Sequence, residues 1–366
     1  MENKKKKIGF VIGSLSSGGA ERVISTLSNE LIQRFDITII TFTKSSPFYS
    51  LDDGIKVIHC REQLNQPNSI IDSLKLNYTL VSRISQIIRE EKINIIIGFI
   101  TSANILATIA AKLNHIPCII SERNNPLIEK VPILWVILRR LVYPLANNLI
   151  LQTNGIKKIY EKKIRPHKIT ILPNPISTDL TELRTNTIKK EKIILSVGRL
   201  DKNKCHDKLI TAFNTIAPVG WQAIIIGEGA TKQKLKTLIK SYDLIDKIKI
   251  ISKVKNIHEY YNEASIFVFT SKTEGFPNAL LEAMHYGLPC ISTDCNFGPS
   301  DLINDGVNGY LIPVDNQLEL TTKLSRLIED ENLQKQFSKT AKESTKKYIS
   351  KNVLDQWESL INKYIK

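Results

Sequence analysis

Short apolar runs recur along this chain, each followed by a polar or glycine-bearing loop and then by a helical stripe, and the series starts twice. Lys7-Ile-Gly-Phe-Val-Ile12 has the length and composition of a buried parallel strand. Gly13 to Gly19 follows as a loop, and Val23, Ile24, Leu27 and Leu31 then mark one face of a helix. Strands are expected again at 37–42, 56–60, 93–97, 118–121, 148–152 and 169–172, with a helix over 76–90. A second series opens at Lys192-Ile-Ile-Leu-Ser-Val197 and continues with strands near 222–226, 248–251, 265–270 and 290–293. Such serial strand–loop–helix units predict α/β architecture: two doubly wound, Rossmann-like parallel sheets.

At 366 residues the chain is long enough for two separate cores. Residues 1–176 form the expected first domain. The polar stretch 177–191 reads as a linker, and residues 192–349 form the second domain. A closing helix over about 350–366 carries Leu354, Trp357, Leu360 and Ile361 at helical spacing and is expected to pack back on the first domain.

Composition narrows the function. The formal net charge is +15, which suits nucleic acid, an anionic membrane or a phosphorylated substrate. The lysines are scattered and no nucleic-acid-binding pattern accompanies them, so nucleic acid is the weakest of the three. Lys4 to Lys7 and the segment Trp135-Val-Ile-Leu-Arg-Arg-Leu-Val-Tyr143 each fit an anionic membrane surface; the second fits an ordinary amphipathic helix equally well. Ile93 to Ala111 is uncharged and long enough to span a bilayer, but Asn94, Thr101, Ser102 and Asn104 suit a strand, a loop and a helix better. The N-terminus lacks the apolar core of a secretory signal. Five widely spaced cysteines, with no Cys-x-x-Cys, give neither a disulfide framework nor a zinc site and fit a reducing cytoplasm.

Four loops stand at the carboxyl ends of expected strands, where open α/β sheets bind ligands. If the two domains face each other, these loops line one cleft. In the first loop, Gly13 and Gly18 have P-loop spacing, but Gly19-Ala20 stands where lysine and a hydroxyl residue belong. What remains is Gly18-Gly19 before a helix, able to bring backbone N–H groups to a phosphate or simply to turn the chain. In the third loop, Arg199 and Lys204 suit a diphosphate, the one as a fork and the other as a point charge. Gly227-Glu-Gly229 lacks the third glycine of a dinucleotide fingerprint. In the fourth loop Glu274-Gly-Phe-Pro277 precedes a short helix, with Pro277 expected at its first position and Gly287 and Pro289 at its end. Glu282 lies eight residues after Glu274, two turns into that helix. Alone, these glutamates fit solvated charges as well as a ligand-binding pair. No Asp-x-Asp occurs, so a leaving diphosphate would need the cations Arg199 and Lys204.

Taken together, Gly18-Gly-Ala-Glu-Arg22, Gly198-Arg-Leu200 with Lys204, Glu274-x7-Glu282 and Asp305-Gly-Val-Asn-Gly-Tyr-Leu311 resemble the retaining glycosyltransferases of family 4, which have the GT-B fold. The resemblance runs through nearly the whole chain and is similar in particular to bacterial N-acetylgalactosaminyltransferases acting on undecaprenyl-diphosphate-linked glycans. It implies a UDP-sugar donor, no metal cofactor, and Arg199, Lys204 and Glu274 as catalytic residues. It implies donor contacts from Glu282 to the ribose and from Gly275, Phe276, Ala279, Leu280, Gly18 and Gly19 to sugar and phosphate. Arg123 and Glu122, in Ser121-Glu-Arg-Asn124, fall on the acceptor side, where relatives often carry histidine in place of Arg123; arginine is a poor general base. Cys205 stands where many relatives have glycine or asparagine. The expected function is transfer of a HexNAc or hexose to a polyprenyl-diphosphate-linked glycan at the inner face of the cytoplasmic membrane, in surface polysaccharide, O-antigen or glycoprotein glycan assembly. The alternatives are a non-catalytic nucleotide-sugar- or glycan-binding module and a nucleotide-sugar epimerase.

Overall fold

A computed structural model describes residues 5–64, 68–128, 131–185 and 187–365. The chain divides into two compact units. The first is Met1–Pro175 with Ser350–Lys366, and the second is Ile176–Ile349.

The first unit begins with β1 (Lys7–Ile12), α1 (Gly19–Leu31), β2 (Asp36–Thr43) and β3 (Lys56–Arg61). It continues through α2 (Ile70–Glu90), β4 (Ile95–Phe99), α3 (Thr101–Leu113), β5 (Cys118–Ser121) and α4 (Ile133–Val142). Then come β6 (Asn148–Leu151), α5 (Asn154–Tyr160) and β7 (Ile169–Ile171). The strands form one parallel sheet in the order β3-β2-β1-β4-β5-β6-β7. The order reverses between β1 and β4, which marks the switch point where such sheets bind ligands. One sheet face carries Ile8, Phe10, Ile12, Ile95, Ile97 and Phe99 against α1. α2 is longer than the apolar stripe predicts, because Ser69 caps it by accepting from the Asp72 N–H.

The second unit opens with α6 (Thr178–Glu182), β8 (Ile193–Val197), α7 (His206–Ile216), β9 (Gln222–Ile226) and α8 (Lys232–Ser241). β10 (Ile248–Ile251), α9 (Ile257–Glu263), β11 (Ile266–Phe269), α10 (Asn278–His285) and β12 (Cys290–Thr293) follow. α11 (Pro299–Leu302), β13 (Tyr310–Ile312), α12 (Gln317–Glu329) and α13 (Glu331–Thr345) complete it. Its parallel sheet runs β10-β9-β8-β11-β12-β13. Adjacent strand residues face opposite cores: Ile194 and Ile225 meet α7, α8 and α12, whereas Leu195 and Ile224 meet α9 and α10.

Two further sequence expectations change. The stretch read as a linker belongs to the second unit: α6 is capped by Ser177, and Leu180 is buried in that unit's core. Pro277 precedes α10 rather than starting it, and Asn278 is the first helical residue. The closing helix α14 (Ser350–Tyr364) packs on the first unit, burying Val353, Leu354, Trp357 and Ile361 with α1 and β4. Lys366 lies outside the described residues, as does Lys4 of the basic cluster. Among the described residues no helix is long and apolar enough to cross a membrane, and Ile93 to Ala111 divides into β4, a turn and α3.

Candidate active site

In the second unit, the loops after β8 and β11 are tied to each other. The Asp201 carboxylate accepts from the N–H groups of Asn203 (2.9 Å) and Lys204 (3.1 Å), which tightens the first loop into an Asx-type turn. The Asn203 amide donates to the Thr273 carbonyl (2.9 Å) and accepts from the Thr273 hydroxyl (2.9 Å). Lys272 N–H donates to the Asn203 carbonyl (2.8 Å), and the Thr270 hydroxyl donates to that of Lys204 (2.8 Å). These ties bring together two residues seventy positions apart: the Lys204 ammonium donates to Glu274 Oε1. The ammonium also lies 4.9 Å from the Phe269 ring centroid. Both side chains are largely buried, at 15% and 11% exposure, so their charges meet in a medium less polar than water.

The loop after β9 presses on the first of these. A methyl group on Gly227 would lie 1.9 Å from the Gly198 carbonyl oxygen, and one on Gly229 would lie 2.2 Å from that of Leu200. The Gly227-Glu-Gly229 glycines therefore serve close backbone approach rather than a nucleotide fingerprint. Cys205 takes a left-handed conformation with φ 48°. Glycine or asparagine suits that geometry better, so the departure at Cys205 carries a backbone cost. His206 beside it is buried, and its Nδ1 lies 3.1 Å from the Ser196 hydroxyl. Burial, and then the Lys204 charge, pull its pKa down from 6.5 to about 4.

The remaining second-unit residues fall around this pair. Arg199 is exposed and lies 3.3 Å from the Asp201 carboxylate. Glu282 is buried on α10, and its Oε2 accepts from the Tyr261 hydroxyl at 3.1 Å. Phe276 and Leu280 are buried, with the Phe276 ring against Tyr348. At Gly298 the backbone has φ 100°, and a methyl group there would strike the Pro277 ring at 2.4 Å, so the turn before α10 is packed from outside. Sequence reasoning missed Asn203, Thr273 and Tyr261. Their roles depend on pairs 18 to 70 residues apart, and a single sequence carries no signal for such pairs.

In the first unit two expectations are revised. The helix start at Gly18–Gly19 is covered by the chain's own Glu21: a methyl group on Gly18 would lie 2.0 Å from Glu21 Oε2. That carboxylate curls back over the helix N-terminus, as an N3 glutamate does, and burial raises its pKa. Glu122 is fully buried rather than turned toward an acceptor. Its Oε1 accepts from the Arg123 N–H (3.1 Å), and its Oε2 accepts from Thr101 (3.2 Å) and Tyr143 (2.6 Å). It is an internal anchor for the loop that carries Arg123. Arg123 itself is only 8% exposed, and its guanidinium lies 4.9 Å from the Phe99 ring and 5.8 Å from the Trp357 ring. Burial lowers its pKa to about 9, opposed by the nearby Glu122 charge.

Among the described residues no group of three His, Cys, Asp or Glu side chains is placed to hold a metal ion. The cysteines are free thiols, and burial pushes Cys60, Cys118 and Cys295 up to about 12, away from nucleophilic use.

Comparison with known proteins places the chain in a family. A model of "Glycosyltransferase Family 4" matches residues 17–180, and one of "Glycosyl transferases group 1" matches residues 181–344. A Campylobacter jejuni α-1,4-N-acetyl-D-galactosaminyltransferase, named for the acceptor GalNAc-α-(1→4)-GalNAc-α-(1→3)-diNAcBac-PP-undecaprenol, is 30% identical over 97% of this chain and 98% of its own length. The Erwinia amylovora amylovoran biosynthesis glycosyltransferase AmsD is 27% identical over 98% of this chain and 99% of its own. Among solved structures, Anabaena HepE in complex with UDP aligns over 98% of this chain and all of its own, with a TM-score of 0.80 at 18% identity. The two parallel-sheet units thus have the GT-B fold. The chain belongs to glycosyltransferase family 4 and is a glycosyltransferase.

Proposed function

We propose that the enzyme moves a HexNAc or hexose from a UDP-sugar, with retention, to a polyprenyl-diphosphate-linked saccharide in surface glycan assembly. The observation that carries this reading is the Lys204–Glu274 pair, held by tied loops, with Glu282 buried along α10. A diphosphate entering beside Lys204 would draw the ammonium from Glu274. Lys204 and Arg199 would then stabilise the negative charge that grows on the leaving diphosphate. Glu274, released from its ion pair, would accept a hydroxyl of the transferred sugar. Glu282 would accept from the ribose, and backbone N–H groups between Phe276 and Leu280 would hold sugar and phosphate. Retention would follow from front-face attack, with the leaving diphosphate taking the acceptor proton; no metal cofactor is required in this scheme. The donor is supported by the UDP bound in Anabaena HepE, and the acceptor by the names of the Campylobacter relatives.

A peripheral position on the anionic inner face of the membrane is supported by α4. Ile133, Ile137 and Leu141 are 73%, 50% and 63% exposed there, and Arg140 is exposed beside them. The test is a thermal-shift panel of nucleotide sugars followed by turnover with synthetic polyprenyl-diphosphate saccharides. A UDP-sugar should stabilise the protein and be consumed. Glu274→Ala should lower transfer by roughly 10²–10³-fold while donor binding stays measurable. Stabilisation by a different class of nucleotide, or consumption without any glycan product, would reject the reading.

A further inference from the structure

Buried polar side-chain atoms without a hydrogen-bond partner are rare in folded proteins. Among the described residues several belong to one neighbourhood of the first unit: Arg123 Nε and Nη2, Gln152 Oε1 and Trp357 Nε1. Arg123 Nη1 donates to Asn174 Oδ1. A guanidinium only donates, so that Asn174 atom must be the oxygen. Gln152 Nε2 donates to the same oxygen at 2.7 Å, which turns Gln152 Oε1 away from Asn174. The Phe99 and Trp357 rings, stacked at 10° with centroids 6.1 Å apart, both lie against the guanidinium. One guanidinium edge is left over, Nε–H with Nη2–H. These two N–H groups are parallel and form the fork that grips two oxygens of one oxyanion. The adjacent carboxylate of Glu122 is already engaged by Thr101, Tyr143 and the Arg123 backbone N–H. A buried cation edge with no partner is costly, and an oxyanion placed there binds in a medium where the attraction is strong.

We propose that this edge is an oxyanion seat for a glycosyl phosphate. The Arg123 fork takes two phosphate oxygens and Gln152 Oε1 accepts a hydroxyl of the same ligand. Trp357 of the C-terminal helix is a positioning residue that holds the guanidinium plane. The inference rests on the acceptor reading proposed above, and the seat belongs to the acceptor, not to the donor diphosphate.

The test uses the full chain and two readouts. Calorimetric titration with galactose 1-phosphate should give saturable binding. Arg123→Lys keeps the charge but loses the fork, and should weaken that binding at least tenfold while leaving UDP affinity within twofold. In turnover assays with a prenyl-diphosphate disaccharide, Trp357→Leu should raise the acceptor KM five- to tenfold with kcat and the donor KM within twofold. Trp357→Phe, which keeps a ring against the guanidinium, should restore the acceptor KM to within threefold. Equal galactose 1-phosphate binding by wild type and Arg123→Lys would overturn the proposal. So would an Arg123→Lys loss confined to UDP, which would place the seat with the donor. If Trp357→Leu lowers kcat and raises both KM values alongside a lower Tm, Trp357 has a structural role only. Calorimetry needs no turnover. Arg123-dependent binding in a protein that transfers nothing would support the seat and reject the reaction, whereas transfer indifferent to Arg123 would reject the seat alone.

Discussion

The two units share a fold plan but arrange charge in opposite ways. In the second unit, Lys204 and Glu274 neutralise each other across tied loops, and Arg199 stands in solvent. On the proposed reading that arrangement exchanges partners, because an incoming diphosphate would offer Lys204 an equivalent acceptor. In the first unit, Glu122 is enclosed by Thr101, Tyr143 and backbone N–H groups, and the Arg123 edge beside it is among the buried polar groups that lack a partner. Its carboxylate cannot leave without exposing donors to an unpaired state. The contrast sets a charge-neutral pair in one unit against a hydrogen-bonded carboxylate beside a buried, unpartnered guanidinium edge in the other.

Acid should break this contrast from the second unit's side, with the largest effect. His206 and His285 are both buried there, and burial lowers each to about 4 from an ordinary 6.5. The unfolded chain therefore binds more protons than the folded one between those values. Stability is fully present above pH 6.5 and is lost as pH falls toward 4, by up to about 3 kcal/mol for His206 alone. Chemical denaturation between pH 7 and 4.5 should show this slope, and His206→Gln should flatten it. An unchanged slope in the variant would remove His206 as the cause.

Tyr143→Phe sharpens the first-unit half. It removes one of the donors to the buried Glu122 carboxylate and should cost about 2 kcal/mol. Urea unfolding followed by circular dichroism reads the loss directly; a cost below about 0.5 kcal/mol would mean that Tyr143 is not part of the frame. The smallest stability effect is expected at Arg199→Ala. An exposed ion pair with Asp201 contributes at most about 1 kcal/mol and often nothing. The midpoint of unfolding should hardly move, whereas calorimetric UDP affinity should fall roughly tenfold, about 1.4 kcal/mol. A large stability loss with unchanged UDP affinity would reverse the role given to this side chain.

Much of the architecture was legible before any coordinates. Five-residue apolar runs and helical stripes report local burial, and local burial determines strand and helix. Arg199, Lys204 and Glu274 stood out by their places after strands and Glu282 by its spacing from Glu274, but spacing alone left the two glutamates fitting solvated charges equally well. The boundary errors have local causes as well: Ser69 extends α2 by capping, and Pro277 sits outside α10.

What only the tertiary structure decided is where each side chain spends its polar groups. Nothing in Ser121-Glu-Arg-Asn124 distinguishes an acceptor-facing Glu122 from a buried one; Tyr143, over twenty residues later, makes that choice by donating to it. The apolar stripe of α14 predicted packing, but not that Trp357 would lie against Arg123 across more than two hundred residues of chain. Periodicity carries the one-dimensional record of burial. Hydrogen-bond partners, ring contacts and a left-handed backbone at Cys205 arise only when distant segments meet, because each is satisfied by a neighbour that the local sequence does not specify.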